Sequence, residues 1–282
     1  MRPKTRRYAR IQDWFLALQS KTSIPVLAAF LCSGFGSLAQ SDDVREIGIQ
    51  SVRKGIVYKT EWSFDAALHT NGFYLGYNRG KIPNYHTTKT THLDIGILYH
   101  PLETSTSRPS NVGFRTYDAY KFGKKNHVLN FRFGKGYIKT FTEKARKKGV
   151  ALGLQLQGGL LIGLQKPYYL KIKDERDGQF FVREIRYDDD PEAFMDADNI
   201  LGRSSFFKGF DHLSIVPGLY GRVALRIDPG AFERLVRCLE LGLQLDFYTK
   251  RPQLLVVDDN PYHYLNFFIN LQLGSRKAIA GN

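Results

Sequence analysis

From about residue 57 onward the chain alternates apolar and polar residues with a period of two. The clearest run is 238–248, where Leu239, Leu241, Leu243, Leu245 and Phe247 share one face and Glu240, Gly242, Gln244, Asp246 and Tyr248 the other. Residues 264–275 repeat the pattern, with Leu265, Phe267, Ile269, Leu271 and Leu273 opposite Asn266, Phe268, Asn270, Gln272 and Gly274. Residues 150–164 carry it further: Leu152, Leu154, Leu156, Leu160, Ile162 and Leu164 oppose Ala151, Gly153, Gln155, Gln157, Leu161 and Gly163. Side chains alternate sides along a strand, so each run has one apolar face and one polar or glycine-rich face. A helix would need apolar spacings of three and four, which these runs lack. Five further runs, 58–69, 73–81, 91–100, 127–138 and 212–227, fit less cleanly and bring the strands to eight.

The connections between runs are unequal. Thr70-Asn71-Gly72 reads as a tight hairpin, about nine residues join the second and third runs, and basic residues around Glu143–Lys148 join the fourth and fifth. A turn at Asp228-Pro229-Gly230 joins the sixth and seventh. The stretches 101–126, 170–211 and 250–262 are longer, and all three fall at one end of the strand array. Short turns at one end and long loops at the other are characteristic of bacterial outer-membrane barrels.

Alternation alone does not say which face is inside, and a soluble, secreted β-barrel holding an apolar ligand is the competing arrangement. Three features favour the inverted one. The polar faces are rich in glycine and mixed charge. The apolar runs reach the ~9–11 residues that cross a bilayer at barrel tilt. Aromatics cluster near strand ends, at Tyr74, Tyr77, Tyr99, Tyr137, Tyr168, Tyr169, Tyr248, Tyr262 and Tyr264, where an interfacial girdle would lie.

Composition adds to this picture. Lys+Arg 41 against Asp+Glu 27 gives a net charge of +14, and aromatic content is high, with 20 Phe and 16 Tyr. The two cysteines, Cys32 and Cys238, give no disulfide framework and no zinc-ligand spacing. Residues 1–39 have the three parts of a secretory signal: a basic start with Arg6-Arg7, an apolar stretch at 24–36, and Ser37-Leu38-Ala39 as a cleavage site. Bulky Phe30-Leu31 before Cys32 argue against a lipobox. The expected organisation is a signal peptide at 1–39, a periplasmic segment at 40–56, an outer-membrane barrel at 57–276 and a tail at 277–282. The positive charge would also suit nucleic acid, but an exported barrel does not meet it, so nucleic acid is not an expected partner.

Eight strands enclose an interior about wide enough for side chains to fill. The polar faces place Glu61, Asp65, Asp94, Glu240 and Asp246 there with Lys59, Arg132, Arg222 and Arg226. Buried charge must be paired or it costs several kcal/mol per ion, so a cross-strand ionic network plugging the lumen is expected, and a general solute pore is not.

His212-Leu213-Ser214 is the one arrangement that suggests an enzyme. A tight turn at Asp228–Gly230 would bring residue 213 beside residue 246, placing base, nucleophile and orienting acid together as His212, Ser214 and Asp246. Some lipid A deacylases, also small outer-membrane barrels, use a His-x-Ser pair. The three residues would face inward, away from a lipid substrate, so a structural polar network is the expected role and no catalytic residue is assigned. The acidic stretch Asp188-Asp189-Asp190, Glu192, Asp196 and Asp198 lacks the glycine and terminal Glu of a calcium loop; no metal or cofactor is expected. Phe194, Met195, Phe206, Phe207 and Phe210 place large apolar groups in the same long loop, where they would pack on the barrel mouth or on a partner. Arg108, Arg115, Lys121, Lys124 and Lys125 could meet lipopolysaccharide phosphates.

The stretches Leu68-His69-Thr70-Asn71-Gly72-Phe73, Phe122-Gly123-Lys124-Lys125-Asn126 and Lys166-Pro167-Tyr168-Tyr169-Leu170 resemble a family of small outer-membrane β-barrels of Bacteroidota that has no assigned activity. The resemblance spans about 57–275, implies an outer-membrane location and supplies no catalytic residues. By analogy with accessory barrels of secretion and barrel-assembly machinery, it suggests a structural or accessory role. The expectation is therefore an all-β, eight-stranded antiparallel transmembrane β-barrel with a filled lumen, short periplasmic turns and longer extracellular loops. Its expected partners are outer-membrane lipid, lipopolysaccharide and a protein of an envelope complex. The alternatives are a lipid A-modifying hydrolase and a soluble ligand-binding barrel.

Overall fold

The computed structural model describes residues 58–84, 86–106, 118–141, 150–176, 179–229, 233–257 and 259–278. The expected signal segment 1–39, the segment 40–56, Arg108, Arg115 and residues 143–148 lie outside them. In chain order the strands are β1 (Tyr58–His69), β2 (Gly72–Asn84), β3 (Thr87–Leu98), β4 (Ser105–Thr106), β5 (Tyr120–Lys121), β6 (Asn126–Thr140), β7 (Ala151–Pro167), β8 (Tyr169–Arg176), β9 (Gln179–Arg186), β10 (Ile200–Arg203), β11 (Ser214–Asp228), β12 (Leu235–Tyr248) and β13 (His263–Ala278). A single turn of helix, α1 (Pro191–Met195), precedes β10.

Eight of these strands close into a barrel in the order β1-β13-β12-β11-β7-β6-β3-β2. Every neighbouring pair is antiparallel, so each strand pairs with the barrel strand before and after it in the chain, and closure leaves no edge. The period-two pattern explains the faces. Along β13, Tyr264, Asn266, Phe268, Asn270 and Gln272 are buried in the lumen, while Leu265, Phe267, Ile269, Leu271 and Leu273 are exposed on the outer wall. β12 does the same, with Glu240, Gln244, Asp246 and Tyr248 inside and Leu239, Leu243, Leu245 and Phe247 outside. Phe64, Leu75, Leu93, Phe133, Leu160 and Leu219 carry the apolar wall around the remaining strands.

The β1–β2 hairpin turns on Gly72, whose φ of +145° and close approach to the Ile97 carbonyl leave no place for a Cβ. Several expectations need correction. The second and third strands are joined by two residues rather than nine, because backbone pairing continues out to Asn84 and Thr87 after the apolar alternation has faded. β13 extends to Ala278 and takes up the first residues of the expected tail. Tyr74, Tyr248 and Tyr264 point into the lumen instead of joining a girdle; Tyr77 and Tyr137 are on the outer wall. Lys59 is exposed at the start of β1 rather than in the lumen. The long connection 168–213 is itself folded, with β10, β8 and β9 forming a three-stranded sheet in that order.

Candidate functional site

The lumen is filled by two layers of charged and amide side chains. In the first, Arg132 on β6 donates from Nη1 to Asp94 Oδ1 on β3 (2.8 Å), and from Nε and Nη2 to the two oxygens of Asp246 on β12 (3.0 and 2.8 Å). Arg222 on β11 donates to Asp94 Oδ2 (2.6 Å) and to Gln244 Oε1 (2.6 Å), and its guanidinium lies 4.2 Å from the centre of the Tyr74 ring. His92 sits against the same group. Its Nε2 is 2.7 Å from both Asp94 Oδ2 and Arg222 Nη1, and its Nδ1 is 2.5 Å from Asn78 Oδ1. Asn78 in turn donates to Asp65 (2.6 Å). Asp94 thus receives Arg132 from the neighbouring strand, where the two are register partners, and Arg222 from β11 across the lumen; with Asp246 on β12 the cluster ties four strands together.

The second layer lies nearer the short-turn end. Arg226 faces Glu61 and Glu240 at 3.7 and 3.9 Å, Asn270 donates to Glu240 (2.9 Å), and Arg276 donates to Glu61 (3.2 Å) and Asp228 (2.5 Å). Of the nine charged residues expected inside, Glu61, Asp65, Asp94, Arg132, Arg222, Arg226, Glu240 and Asp246 are buried, and Lys59 is exposed. Gln244, from the polar face of its run, joins this network, and His92, Asn78, Asp228 and Arg276, which were not foreseen, complete it. His92 and Asn78 carried a signal, since each lies two residues from an expected lumen position on its own strand or opposite one.

At the long-connection end, Leu98, Val128, Leu161, Val216, Tyr220, Tyr248, Leu254 and Tyr264 form an apolar cap. Leu254 comes from the connection 249–262, which folds over the mouth and is held to residues 123–126. Lys125 N donates to Leu254 O, and Val256 N to Gly123 O, both at 2.8 Å. Asn260 braces this turn from within, donating to the carbonyls of Leu255 and Val257. The bracing cation is Lys124, fully buried, with Nζ 2.9 Å from both oxygens of Glu103; Lys121 donates to the same carboxylate. Burial pushes the Lys124 ammonium down to about 8 against the pull of Glu103. Burial acts to raise the Glu103 carboxyl, but the charge of Lys124 and the hydrogen bonds from Lys121 and Lys124 outweigh it, so Glu103 sits below its ordinary 4.5. A depressed carboxyl contributes stability that is complete above its unfolded value and is lost as pH falls through the folded value. The cap over the mouth is therefore expected to loosen only below about pH 4.5. Falling protection factors at the Lys125 and Val256 amides over that window, and their insensitivity to pH in Glu103→Gln, would check it.

The folded connection has its own core of Tyr120, Tyr168, Leu170, Ile172, Ile185, Phe194 and Ile200, with Val256 packed against it. Asp190 caps α1 by accepting from Ala193 N (3.1 Å) and also receives Arg183 (2.9 Å); Asp189 pairs with Arg186, and Asp188 with Lys125. The acidic stretch thus has structural partners. Phe194 is fully buried in this core and is not available to a partner, because α1 turns it inward. Met195, Phe206, Phe207 and Phe210 are exposed. Phe180, Phe181 and Val182, absent from the expected partner residues, are exposed on β9, one of the two edge strands of the sheet; their short Phe-Phe-Val run was the available signal.

His212, Ser214 and Asp246 are not brought together. Asp246 pairs with Tyr220 across β11–β12 and is buried, whereas Ser214 opposes Gln165 of β7 at the exposed rim. His212 is outside the strand and pairs with Asp211 (2.9 Å). The β11–β12 connection occupies 229–234, longer than the assumed turn, and this moves the register along β12.

Against protein-family models and against the sequences of curated proteins, the chain has no match. Among solved structures it is similar to Neisserial surface protein A, at 10% identity and a TM-score of 0.37, over 79% of this chain and 97% of that one. It is also similar to Ail, the attachment invasion locus protein of Yersinia pestis, at 8% identity and a TM-score of 0.30 in a complex with the heparin analogue sucrose octasulfate, over 78% of this chain and 96% of that one.

Proposed function

We propose that this chain is an integral outer-membrane barrel that serves as a closed anchor for a folded platform on the cell surface. The observation that carries this reading is the inversion of the barrel: charged and amide residues fill the interior while Leu, Ile and Phe form the outer wall on every strand. A soluble barrel would place those faces the other way, since a wall of exposed apolar side chains of this extent is unfavourable in water. Lipid is the solvent that suits it.

The filled lumen and the Leu254 cap argue against a pore. The separation of His212 and Ser214 from Asp246 argues against the hydrolase reading. A structural or accessory role remains, with the platform offered to a protein of a secretion or envelope-assembly complex. Within the platform β9 is the best-suited surface. Among the described residues its outer edge pairs with no other strand, it carries exposed Phe180, Phe181 and Val182, and such an edge accepts an added strand.

In planar bilayers the purified protein is expected to show no steady ion conductance. In intact cells a photo-crosslinker at Phe181 is expected to capture a discrete envelope protein, and one at Phe64 on the outer wall is not. Steady open-channel conductance, or identical products from the two positions, would contradict the proposal.

A further inference from the structure

The junction between the platform and the barrel rim holds a cleft of about 400 Å3, within the range of small-ligand sites. Lys121, His127, Lys166, Tyr169, Arg203 and Phe206 line it, with the Ser204 hydroxyl beside them. Cations outnumber the acids that could neutralise them. Lys121 and Lys124 share Glu103, Arg203 meets Asp118 at 3.3 Å, and Glu184 is held by Lys208 and Ser204. Lys166 is left over. It is only 1% exposed, its ammonium donates to the carbonyls of Phe206 and Lys208, and among the described residues no carboxylate pairs with it. An ammonium has three donors, so one is still to be satisfied. Besides the carbonyls, only the Phe206 and Phe210 rings among the described residues, at 4.3 and 5.2 Å, face this ammonium; a buried cation with no counter-charge is costly, and the group that would relieve it is an anion.

The walls narrow the class of anion. The Phe206 ring centre is 4.3 Å from Lys166 Nζ and 5.5 Å from the His127 ring, which is 5.2 Å from Tyr168. A cleft with flat aromatic walls, a hydroxyl and convergent cations suits a ring with an apolar face, hydroxyl groups and a charged substituent. We propose that this cleft binds an anionic sugar, a phosphate or carboxylate on a single pyranose-sized ring, which pairs with Lys166 and Arg203 and packs on Phe206.

The location suggests where such a sugar would come from. Phe206 packs with Phe207, which is 81% exposed, and with Phe210, and the chain runs directly from them into exposed Leu213 and Ile215 at the top of the apolar wall. If the wall is in lipid, the cleft lies at headgroup level beside a phosphorylated lipid sugar. Only this lipid source rests on the membrane reading; the site itself does not.

The test is calorimetric titration of the full chain in zwitterionic detergent with glucosamine 1-phosphate, alongside N-acetylglucosamine and inorganic phosphate. A parallel arm measures binding to phosphatidylcholine vesicles with and without lipopolysaccharide. Arg203→Gln changes an exposed side chain and leaves the fold intact; Lys166→Gln removes the buried charge while keeping a donor to the Phe206 carbonyl. Each is expected to weaken binding about tenfold, as for loss of one charge-assisted contact. Binding of the free sugar phosphate with that loss supports a soluble ligand, and binding confined to lipopolysaccharide vesicles with the same loss supports a lipid headgroup. Binding of neither, or binding that both variants leave unchanged, would overturn the site, and inorganic phosphate binding as tightly as the sugar phosphate would overturn the sugar. A protein that proves soluble yet binds glucosamine 1-phosphate through Arg203 would sink the membrane reading and leave the site standing.

Discussion

Asp94→Ala is expected to destabilise the barrel by about 3–5 kcal/mol, the cost of removing one partner from a buried ionic cluster. Asp94 accepts from Arg132 at 2.8 Å and from Arg222 at 2.6 Å, and lies against His92 at 2.7 Å. Without it, Arg132 keeps Asp246 and Arg222 keeps Gln244, but the carboxylate that neutralises both guanidiniums is gone. The loss should appear as a lower urea midpoint in detergent and a lower temperature for loss of the SDS-resistant band. Asp94→Asn, which preserves shape and one acceptor, should lose less. A change below about 1 kcal/mol in the alanine variant, the size of an exposed ion pair, would mean that water already screens the lumen and that it is not plugged.

Leu243→Arg probes the opposite face. Leu243 is 47% exposed on β12 and sits between Val223 and Phe267 of the neighbouring strands, near the middle of the wall. In a bilayer an arginine at that depth is expected to cost about 2–4 kcal/mol, which would show as reduced folding into vesicles with little change in detergent. In a water-exposed barrel the same substitution at an exposed site would stay within about 0.5 kcal/mol. The lumen and wall variants therefore separate two contributions: one internal to the barrel, the other dependent on the solvent around it.

The strands were legible because a strand's period is two and the wall is apolar on nearly every turn of it: the Leu265–Leu273 series marks β13 without reference to any other strand. The same period placed eight of the nine expected lumen charges; Lys59 shares their parity but lies at the exposed start of β1. The period could not fix how far β11 slides along β12, because shifts by two residues leave every side chain on its own face; the length of the 229–234 connection decides that, and with it the distance from Ser214 to Asp246. The tyrosines were misread for a different reason. Position near a strand end does not give the face, and Tyr74 lies on the same side of β2 as Asn78, which is the lumen side. The platform was hidden because its core is assembled from scattered residues: Tyr120 and Val256 from other connections pack with Leu170, Ile185 and Phe194. Arg276 lies past the end of the apolar alternation, so nothing in the pattern marked it as a partner for Glu61.

If the apolar wall meets lipid and the polar face does not, adjacent residues of β13 must differ in their access to it. Phe267 is 50% exposed on the wall and Phe268 is 1% exposed in the lumen. With the native tryptophans replaced by Phe, single-tryptophan variants Phe267→Trp and Phe268→Trp would be folded into vesicles containing brominated phospholipid. Strong quenching is expected at 267 and little at 268. Strong quenching at 268 with none at 267, or no quenching at either position, would contradict this and turn the apolar wall toward something other than a membrane.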